Sequence, residues 1–325
     1  MEYTRLGTSG LTVSRICLGC MSFGARNVRS WTLDDEAAEP LFRKAVELGI
    51  TFWDTANVYG AGTSEEITGR AITSYTRRED VVLATKLNGR MGDGPGGQGL
   101  SRRAVMEQVD ASLRRLDTDY IDLYQIHRYD PNTPVEETME ALHDVVKAGK
   151  VRYLGASSMY AWQFATMQHA ADLGGWTRFI SMQDQYSLIM REEEREMFPL
   201  LEYQGVSSIP WSPLGGGRVA RPWGDASTSR GSTNPETDPK GRPLALDSDK
   251  DIVDAVQAIA EARGVSMATI GLAWVLKNPV VASPIVGATK EKHITDAVAA
   301  LDVELTVDEL VRLEEPYERR EPTYF

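Results

Sequence analysis

The sequence contains few cysteines, no long apolar run and no excess of basic residues. With 2 cysteines in 325 residues, it is not a disulfide-stabilised secreted scaffold. No apolar stretch reaches the roughly 18 residues that a membrane-spanning helix needs. The N-terminal residues M-E-Y-T-R lack the apolar core of a signal peptide, so the sequence predicts a cytoplasmic protein with reduced thiols.

Acidic residues outnumber basic ones, 47 to 35, which gives a net charge of −12. Such a surface repels phosphate backbones and anionic lipid headgroups, so we expect neither nucleic acid nor a membrane as a partner. A local basic pocket for one small anion is still compatible with this charge. Apolar residues make up 42% of the chain, as in ordinary globular proteins. We predict a single domain over residues 1–325, in either a monomer or an oligomer.

Cys17 and Cys20 form a C-x-x-C pair, which is compatible with a redox dithiol or with half of a zinc site. A second pair of cysteines is absent, and only 4 histidines are available as further ligands. The surrounding residues are more typical of a short strand, in which the odd spacing directs the two side chains to opposite faces. We therefore predict two structural cysteines and no metal site.

Short apolar runs alternate with longer segments of helical period along most of the chain. The runs cover residues 16–18, 50–53, 81–85, 120–126, 151–155, 179–182, 206–210 and 281–286. The helical segments cover residues 33–48, 102–116, 135–147, 159–173, 192–203, 250–263 and 267–276, and a further helix is expected to start near Lys290. Alternation of buried strands with helices indicates parallel βαβ units, and this number of units fits a (β/α)8 TIM barrel with long loops at its C-terminal face. A doubly wound open sheet is the rival fold. Residues 3–7 and 11–13 predict an N-terminal β-hairpin that closes the barrel floor.

Polar residues stand where several of these strands end, which in a barrel is the mouth where active sites are built. Asp54, Lys86 and His127 end successive runs, and Tyr59 follows shortly after Asp54. Each alone has a structural explanation, as an ion-pair member, a capping aromatic or a core histidine, but their shared position favours a joint role. An ammonium beside a phenol lowers the pKa of the phenol, and a carboxylate keeps that ammonium charged and oriented.

Such a set of side chains is suited to protonating an oxygen on which negative charge develops, with His127 orienting a carbonyl group. Carbonyl reduction by hydride requires this kind of proton donation. None of these residues is a source of hydride, so the sequence predicts a bound redox cofactor.

The glycine-rich segment 92–97 matches the dinucleotide-binding pattern G-x-G-x-x-G. That pattern requires a helix to begin at the glycines, with its N-terminus against the pyrophosphate. Here Pro95 interrupts the segment, and residues 98–100 separate it from Ser101, the predicted N-cap of the next helix. A Rossmann dehydrogenase is therefore the weaker hypothesis, and a flexible loop over the site is the preferred interpretation.

Residues 218–248 interrupt the alternation of strands and helices. They contain prolines at positions 222, 235, 239 and 243 and show no apolar period. Loops of this length inside a compact domain are usually functional. We expect this loop to overhang the barrel mouth, to be mobile without cofactor, and to close over a pyrophosphate through Arg221 and Arg230.

Several motifs occur along the chain in the order typical of one enzyme family. They are F-W-D-T-A-N-V-Y-G at 52–60, A-T-K at 84–86, D-Y-I-D-L-Y-Q-I-H at 119–127, V-R-Y-L-G-A-S-S at 151–158, W-S-P-L at 211–214 and P-I-V-G-A-T at 284–289. Together they resemble the aldo-keto reductase superfamily, whose signature is F-D-T-A-x-x-Y-G. Within it, the chain is most similar to the bacterial YajO/Tas-like branch, which also resembles potassium-channel β subunits.

The resemblance implies a TIM barrel that binds NADPH without a Rossmann domain and reduces aldehydes or ketones, such as sugar-derived or aryl carbonyl compounds. It implies that Tyr59 is the general acid, that Lys86 and Asp54 tune it, and that His127 orients the carbonyl. The substrate would contact Tyr59, His127, Trp31, Asn88, Arg128 and Tyr129.

The cofactor contacts of the family carry over to a larger set of residues. Beside the nicotinamide and its ribose these are Cys20, Met21, Asp54, Ser157, Ser158, Gln183 and Trp211. At the pyrophosphate they are Ser212, Pro213, Leu214, Gly217 and Arg218. Around the adenosine 2′-phosphate they are Gly287, Thr289, Lys290, His293 and Asp296.

The chain departs from the family pattern at two places. His293 and Asp296-Ala297 stand where the family often has Gln and Glu-Asn, and Trp211 stands where many relatives have tyrosine. A second functional hypothesis follows from the channel-associated relatives: a redox-sensing regulatory subunit that binds NADPH and turns over only incidentally. The complete set of Asp54, Tyr59, Lys86 and His127 favours the enzyme.

Overall fold

A sheet of eight parallel strands forms the centre of the structure, a computed structural model that describes residues 1–25, 30–94, 96–227, 231–233 and 235–323. An antiparallel hairpin of β1 (Tyr3–Arg5) and β2 (Thr12–Ser14) precedes this sheet. The parallel strands are β3 (Cys17–Gly19), β4 (Phe52–Asp54), β5 (Val82–Leu87), β6 (Ile121–Ile126), β7 (Val151–Ser157), β8 (Phe179–Gln183), β9 (Ser207–Ser208) and β10 (Ile285–Gly287). Their spatial order is β10-β3-β4-β5-β6-β7-β8-β9.

Backbone hydrogen bonds join the two edge strands and close the sheet into a barrel. Ser208 N donates to Val280 O at 2.8 Å, and Ala282 N donates to Ser208 O at 2.8 Å. Ile285 N donates to Pro210 O at 2.9 Å. The predicted (β/α)8 barrel is therefore confirmed, and the rival open sheet was the wrong alternative.

The last two barrel strands are shorter than the apolar runs 206–210 and 281–286 predict. β9 has only Ser207–Ser208, and β10 begins only at Ile285. Pro210 and Pro284 have no N–H to donate to the ladder, so regular pairing cannot extend through them. This part of the barrel is closed by single hydrogen bonds instead of a continuous ladder.

The N-terminal hairpin closes the floor of the barrel, as predicted. Leu6 and Val13 of the hairpin are fully buried and pack with the inward-facing Phe52, Ala84 and Leu123. Because this lower layer is apolar, it separates the floor from the polar mouth at the other end of the strands.

Ten α-helices are present in the described ranges. They are α1 (Asp35–Glu47), α2 (Thr63–Tyr75), α3 (Arg102–Leu116), α4 (Val135–Lys147), α5 (Ala161–Gly174), α6 (Met197–Gln204), α7 (Asp249–Arg263), α8 (Met267–Lys277), α9 (Glu291–Ala299) and α10 (Val307–Glu314). Ser101 caps α3, as predicted, because its hydroxyl accepts a hydrogen bond from Ala104 N at 3.3 Å.

Two helices were not predicted, and one predicted helix is divided. α2 buries the polar residues Ser64, Glu65 and Thr68, which obscures its apolar period. α10 is short, and its only fully buried residue is Leu313. The predicted helix 192–203 is a 3-10 turn (Glu192–Glu194) followed by α6, because Glu196 adopts φ −136° and interrupts the helical backbone.

Within the described ranges, no single helix has the length and apolarity to span a membrane. α7 and α8 together reach that length and composition, but they are bent by 106° at the break between them. Ser266 starts α8 there by accepting a hydrogen bond from Thr269 N at 3.1 Å.

Candidate active site

The alternation of side chains along the strands produces a polar layer at the barrel mouth. On β4, Phe52 faces the barrel interior and Trp53 packs outward against Phe42 of α1, with ring centroids 5.1 Å apart. The next residue, Asp54, therefore faces inward again. The same period places Lys86 above the inward-facing Ala84 on β5.

Asp54, Lys86 and Tyr59 meet at this layer, as the sequence predicts. Lys86 Nζ lies 2.5 Å from Asp54 Oδ2, 2.8 Å from Thr55 O and 3.4 Å from Tyr59 Oη. Lys86 is 0% and Asp54 2% exposed, so the ion pair is removed from water. Tyr59 is half-buried in a 3-10 turn after β4 and presents its hydroxyl to the mouth side of the pair.

Burial on its own lowers the pKa of Lys86, but the Asp54 carboxylate and the Tyr59 phenol outweigh it. The pKa of Lys86 is therefore raised above its ordinary value. The lysine keeps its charge throughout the neutral range, and it holds a hydrogen-bonding cation against the tyrosine oxygen.

Two glutamines hold the second oxygen of Asp54, and the sequence motifs pointed to only one of them. Gln125 Nε2 and Gln183 Nε2 each donate to Asp54 Oδ1 at 2.9 Å. Gln183 Nε2 also lies 3.1 Å from Gln125 Oε1. Gln125 lies on β6, two residues before His127. The alternation of side chains along a strand therefore indicates that both side chains face the mouth.

His127 lies beside Tyr59, with ring centroids 5.8 Å apart and the rings edge to face. Burial, together with the nearby charges of Lys86 and Arg128, lowers the pKa of His127 well below its ordinary value. The imidazole is therefore neutral near pH 7, with one N–H to donate.

Four of the six predicted substrate residues, His127 and three others, line a cavity of about 760 Å³, whereas Tyr59 and Trp31 do not line it. Asn88, Arg128 and Tyr129 line it. Asn88 Nδ2 donates to Arg128 O at 2.8 Å, which ties the loop after β5 to the loop after β6. Trp31 lies half-buried in the loop between β3 and α1, next to residues 26–29, which are outside the described ranges.

Gln108 of α3 is a second supporting glutamine that was not predicted. Its side-chain oxygen accepts from Asn57 Nδ2 at 2.8 Å and from Asn88 N at 3.2 Å. Asn57 lies in the Tyr59 loop and Asn88 follows β5, so Gln108 connects two loops of the mouth. The available signal was a glutamine on a helix face whose other buried residues are mainly apolar.

Of the residues predicted around a nicotinamide, Ser157, Ser158 and Gln183 lie at the ends of β7 and β8, and Trp211 contacts Ser158. Ser157 Oγ donates to Gln183 O at 2.8 Å, and Trp211 Nε1 donates to Ser158 Oγ at 2.9 Å. Ser158 has φ +40°, a conformation that side-chain-bearing residues rarely adopt and that is common at functional sites. Met21 lies in the 3-10 turn directly after β3.

Cys17 and Cys20 are both free and buried, and they lie on different sides of the barrel wall. Cys17 packs inside the barrel and Cys20 in the outer core. Burial raises the pKa of both thiols, that of Cys20 to about 12, so neither is a thiolate near neutral pH. The described ranges also hold no group of His, Cys, Asp and Glu arranged for a metal.

The residues predicted at the pyrophosphate lie in the segment after β9. Trp211, Ser212, Pro213 and Leu214 lead into a 3-10 segment, Gly215–Ala220, that contains Gly217 and Arg218. Arg218 Nη2 donates to Pro235 O at 2.8 Å, across the long loop 218–248. Arg230, predicted to close over a pyrophosphate, lies outside the described residues.

The residues predicted around a 2′-phosphate occupy the start of α9. Lys290 is the N-cap of α9 and is exposed, and Thr289 N donates to His293 Nδ1 at 3.3 Å. The side chain of Lys292 pairs with Asp296 at 2.7 Å. Gly287 ends β10, immediately before this turn.

The glycine segment 92–97 does not sit at a helix N-terminus. α3 begins at Arg102, behind Ser101, and Met91 N donates to Gly97 O at 2.7 Å, so the segment folds back on itself as a loop. Its Pro95 lies outside the described residues. This arrangement does not meet the geometric requirement of the Rossmann pattern.

Comparisons with known proteins agree with this geometry. The chain matches the family model "Aldo/keto reductase family" over residues 15–318. It is 47% identical to a versiconal hemiacetal acetate reductase of Aspergillus parasiticus, over 98% of this chain and 97% of that protein. It is 43% identical to the aldo-keto reductase AMT2 of Alternaria alternata, over 98% and 92%. It is 41% identical to a putative aryl-alcohol dehydrogenase of Schizosaccharomyces pombe, over 97% and 95%. The chain therefore belongs to the aldo/keto reductase family.

Proposed function

We propose that the protein is an NADP-dependent reductase that converts aldehydes or ketones to alcohols, with Tyr59 as the general acid. The observation that carries the proposal is the buried Lys86, which contacts both Asp54 and Tyr59 and lies next to the neutral His127. The experiment that tests it is oxidation of NADPH, followed by absorbance, with a panel of carbonyl compounds.

The residues at the mouth fit a dinucleotide phosphate. The consecutive residues Gly215, Gly216 and Gly217 have φ values of 58°, 68° and 90°. Because glycines carry no Cβ, they allow a phosphate group to approach the backbone closely. Lys290 is exposed at the N-terminus of α9, and its side chain makes no hydrogen bond or ion pair with any residue that the structure describes. A lysine in that position adds its charge to the positive end of the helix dipole.

When bound, the reduced nicotinamide supplies a hydride to the carbonyl carbon of the substrate. In the proposed mechanism, the imidazole N–H of His127 donates to the carbonyl oxygen and fixes its position. The Tyr59 hydroxyl gives its proton to that oxygen as the charge develops. Lys86 stabilises the phenolate that remains, and Asp54, held by Gln125 and Gln183, keeps Lys86 in place.

Aromatic carbonyl compounds are the substrate class that we favour over sugar-derived ones. Tyr129 lines the cavity beside His127 and contacts Trp162 of α5, with ring centroids 6.2 Å apart. Trp162 is 60% exposed, so its ring is available to extend this aromatic wall. Putative aryl-alcohol dehydrogenases among the relatives support the same choice.

The redox-sensing regulatory subunit is the alternative function. It would bind NADPH in the same site but transfer the hydride to carbonyl compounds more slowly than the oxidised cofactor dissociates. In the reductase, hydride transfer in a single turnover would be faster than that dissociation. The relatives from Aspergillus, Alternaria and Schizosaccharomyces are fungal, so they do not support placement in the bacterial YajO/Tas-like branch, which stays a prediction.

We expect NADPH to bind more tightly than NADH, because Lys290 and Thr289 would contact the 2′-phosphate. A charge-assisted hydrogen bond contributes about 1.5–3 kcal/mol, so Lys290→Ala should weaken NADPH binding by roughly 10–100-fold. Its effect on NADH should be small. The measurement is the dissociation constants of NADPH and NADH for the wild type and for Lys290→Ala, by fluorescence titration.

Lys292→Ala is the matched control for this prediction. Lys292 lies two residues further along the chain, and its charge is already paired with Asp296. We therefore expect it to leave the preference for NADPH unchanged. Equal affinities of the wild type for NADPH and NADH would contradict a 2′-phosphate site at the start of α9. An unchanged preference for NADPH in Lys290→Ala would assign the 2′-phosphate contact to Thr289 or His293 instead of Lys290.

We also expect His127 to remain uncharged from pH 8 to below pH 6.5. The pKa of His127 is lowered in the folded state, so on acidification the unfolded chain protonates this histidine before the folded chain does. The native state therefore loses stability only as the pH falls below the ordinary histidine pKa. NMR titration of the imidazole, assigned with His127→Gln, measures this. A midpoint at or above 6.5 would mean that His127 is not the neutral donor described here.

A further inference from the structure

The chain beyond α10 contacts Asp249, which follows the long loop 218–248, and Gln185, which is paired with Trp211 ahead of that loop. We call residues 317–323 the C-terminal strap. Its contacts are made by Tyr317, Arg320 and Thr323. None of these residues belongs to the candidate active site, so the strap needs its own explanation.

At the far end of the loop, Arg320 holds Asp249. The guanidinium donates to Asp249 Oδ1 at 2.5 Å and to Oδ2 at 3.0 Å. The two side chains are 5% and 0% exposed. Asp249 Oδ2 also accepts from Leu246 N at 2.9 Å, so the same carboxylate fixes the turn in which the loop joins α7.

At the near end, Thr323 contacts the segment beside Trp211. Thr323 is 1% exposed, and its Oγ1 donates to Gln185 Oε1 at 2.6 Å. Gln185 pairs as a β-bridge with Trp211, the residue that leads into the loop. Trp211 N also donates to Asp184 O at 2.8 Å, so this pairing is continuous with the end of β8.

Between these two contacts the strap is fastened to the body of the barrel. Glu192 Oε1 accepts from Tyr317 Oη at 2.9 Å and from Arg320 N at 3.0 Å. The Tyr317 hydroxyl in turn accepts from Arg191 N at 2.9 Å. Glu192 follows β8 in a 3-10 turn, so the strap is anchored to the barrel independently of the loop that it contacts.

We propose that the C-terminal strap is a positioning element that holds the segments on either side of loop 218–248 and thereby slows the release of the cofactor. This proposal rests on the proposed function in so far as the cofactor is NADPH. In its described part, the loop buries only Val219 and Leu244 among its apolar residues, so its order depends largely on polar contacts, including those that hold the segments on either side of it. A buried, bidentate arginine–carboxylate pair is a strong and specific anchor for one end.

The test compares two conservative variants of the strap with a control variant at the other end of α7. Arg320→Lys keeps the charge and loses the bidentate contact, and Thr323→Val removes only the hydroxyl. The control is Arg263→Lys, because Arg263, at the other end of α7, also holds a carboxylate, Glu309, through two hydrogen bonds, both of 2.6 Å. The readouts are the NADPH dissociation rate by stopped-flow displacement, the unfolding temperature, and trypsin cleavage after Lys240 in protein without cofactor.

We expect Arg320→Lys to release NADPH roughly tenfold faster, the size that loss of one charge-assisted hydrogen bond predicts, and Thr323→Val to have a smaller effect in the same direction. Both variants should also be cleaved faster in the loop, and the rate of hydride transfer in a single turnover should not change. Arg263→Lys should lower the unfolding temperature but leave release and cleavage as in the wild type.

Equal release rates and equal cleavage in Arg320→Lys and Arg263→Lys would overturn the strap proposal. If the wild type does not bind NADPH, the proposed function fails. Cleavage of the loop then decides about the strap alone: faster cleavage only in Arg320→Lys and Thr323→Val supports it, and equal cleavage in all variants rejects it.

Discussion

Replacing Tyr59 with phenylalanine is expected to lower the rate of carbonyl reduction by about 10²–10⁴-fold, the usual contribution of a general acid. The change removes one hydroxyl, whose oxygen lies 3.4 Å from Lys86 Nζ, and leaves the ring and its edge-to-face contact with His127 in place. The affinity for NADPH should therefore change little. Steady-state rates and a fluorescence titration of the same variant measure both quantities.

Tyr203→Phe is the control for this change, because Tyr203 is 88% exposed on α6 and lies outside the mouth. It should behave as the wild type in both measurements. Near-normal turnover in Tyr59→Phe would remove the tyrosine from the mechanism, whereas a loss of NADPH affinity equal to the loss of rate would make it a binding residue instead.

Replacing Lys86 with methionine should be at least as harmful to the rate, because it removes the charge that stabilises the Tyr59 phenolate. The same variant should also be less stable. Asp54 is 2% exposed and would be left as a buried carboxylate without its ion-pair partner, which typically costs about 3–5 kcal/mol in the free energy of unfolding. Urea denaturation and steady-state kinetics measure the two effects separately.

The matched control is Lys150→Met. Lys150 Nζ lies 2.6 Å from Asp110 Oδ1, but both side chains of this pair are partly exposed, at 35% and 44%. Exposed pairs contribute about 0–1 kcal/mol, so this variant should be nearly as stable as the wild type and fully active. An unchanged rate across neutral pH in Lys86→Met would contradict the role of the lysine.

The sequence predicts the barrel and the central group of catalytic residues because both depend on short-range patterns. Apolar runs of strand length locate β4, β5 and β6, and the period of two along each strand directs Asp54 and Lys86 to the same mouth. Tyr59 follows β4 closely, so a local motif is sufficient to place it near them.

The contacts that support this group could not be predicted in the same way, because they join distant parts of the chain. Gln183 reaches Asp54 from β8, and Arg320 reaches Asp249 from the C-terminal strap. A glutamine or an arginine has no local pattern that specifies such a partner. α2 was missed for a related reason: its buried Glu65 is paired with Arg115 of α3, so a polar residue occupies a position where the helical period predicts an apolar one.

Hydride transfer at this mouth is the central step of the proposed reaction, and one measurement tests it directly. The protein would be given NADPH with deuterium at both hydrogen positions of nicotinamide C4, together with an aromatic aldehyde, and the alcohol would be analysed by mass spectrometry and NMR. We expect one deuterium on the former carbonyl carbon, formed faster than NADPH dissociates, and this product should be lost in Tyr59→Phe. Binding of NADPH without formation of deuterated alcohol, across a panel of aldehydes and ketones, would contradict the reductase.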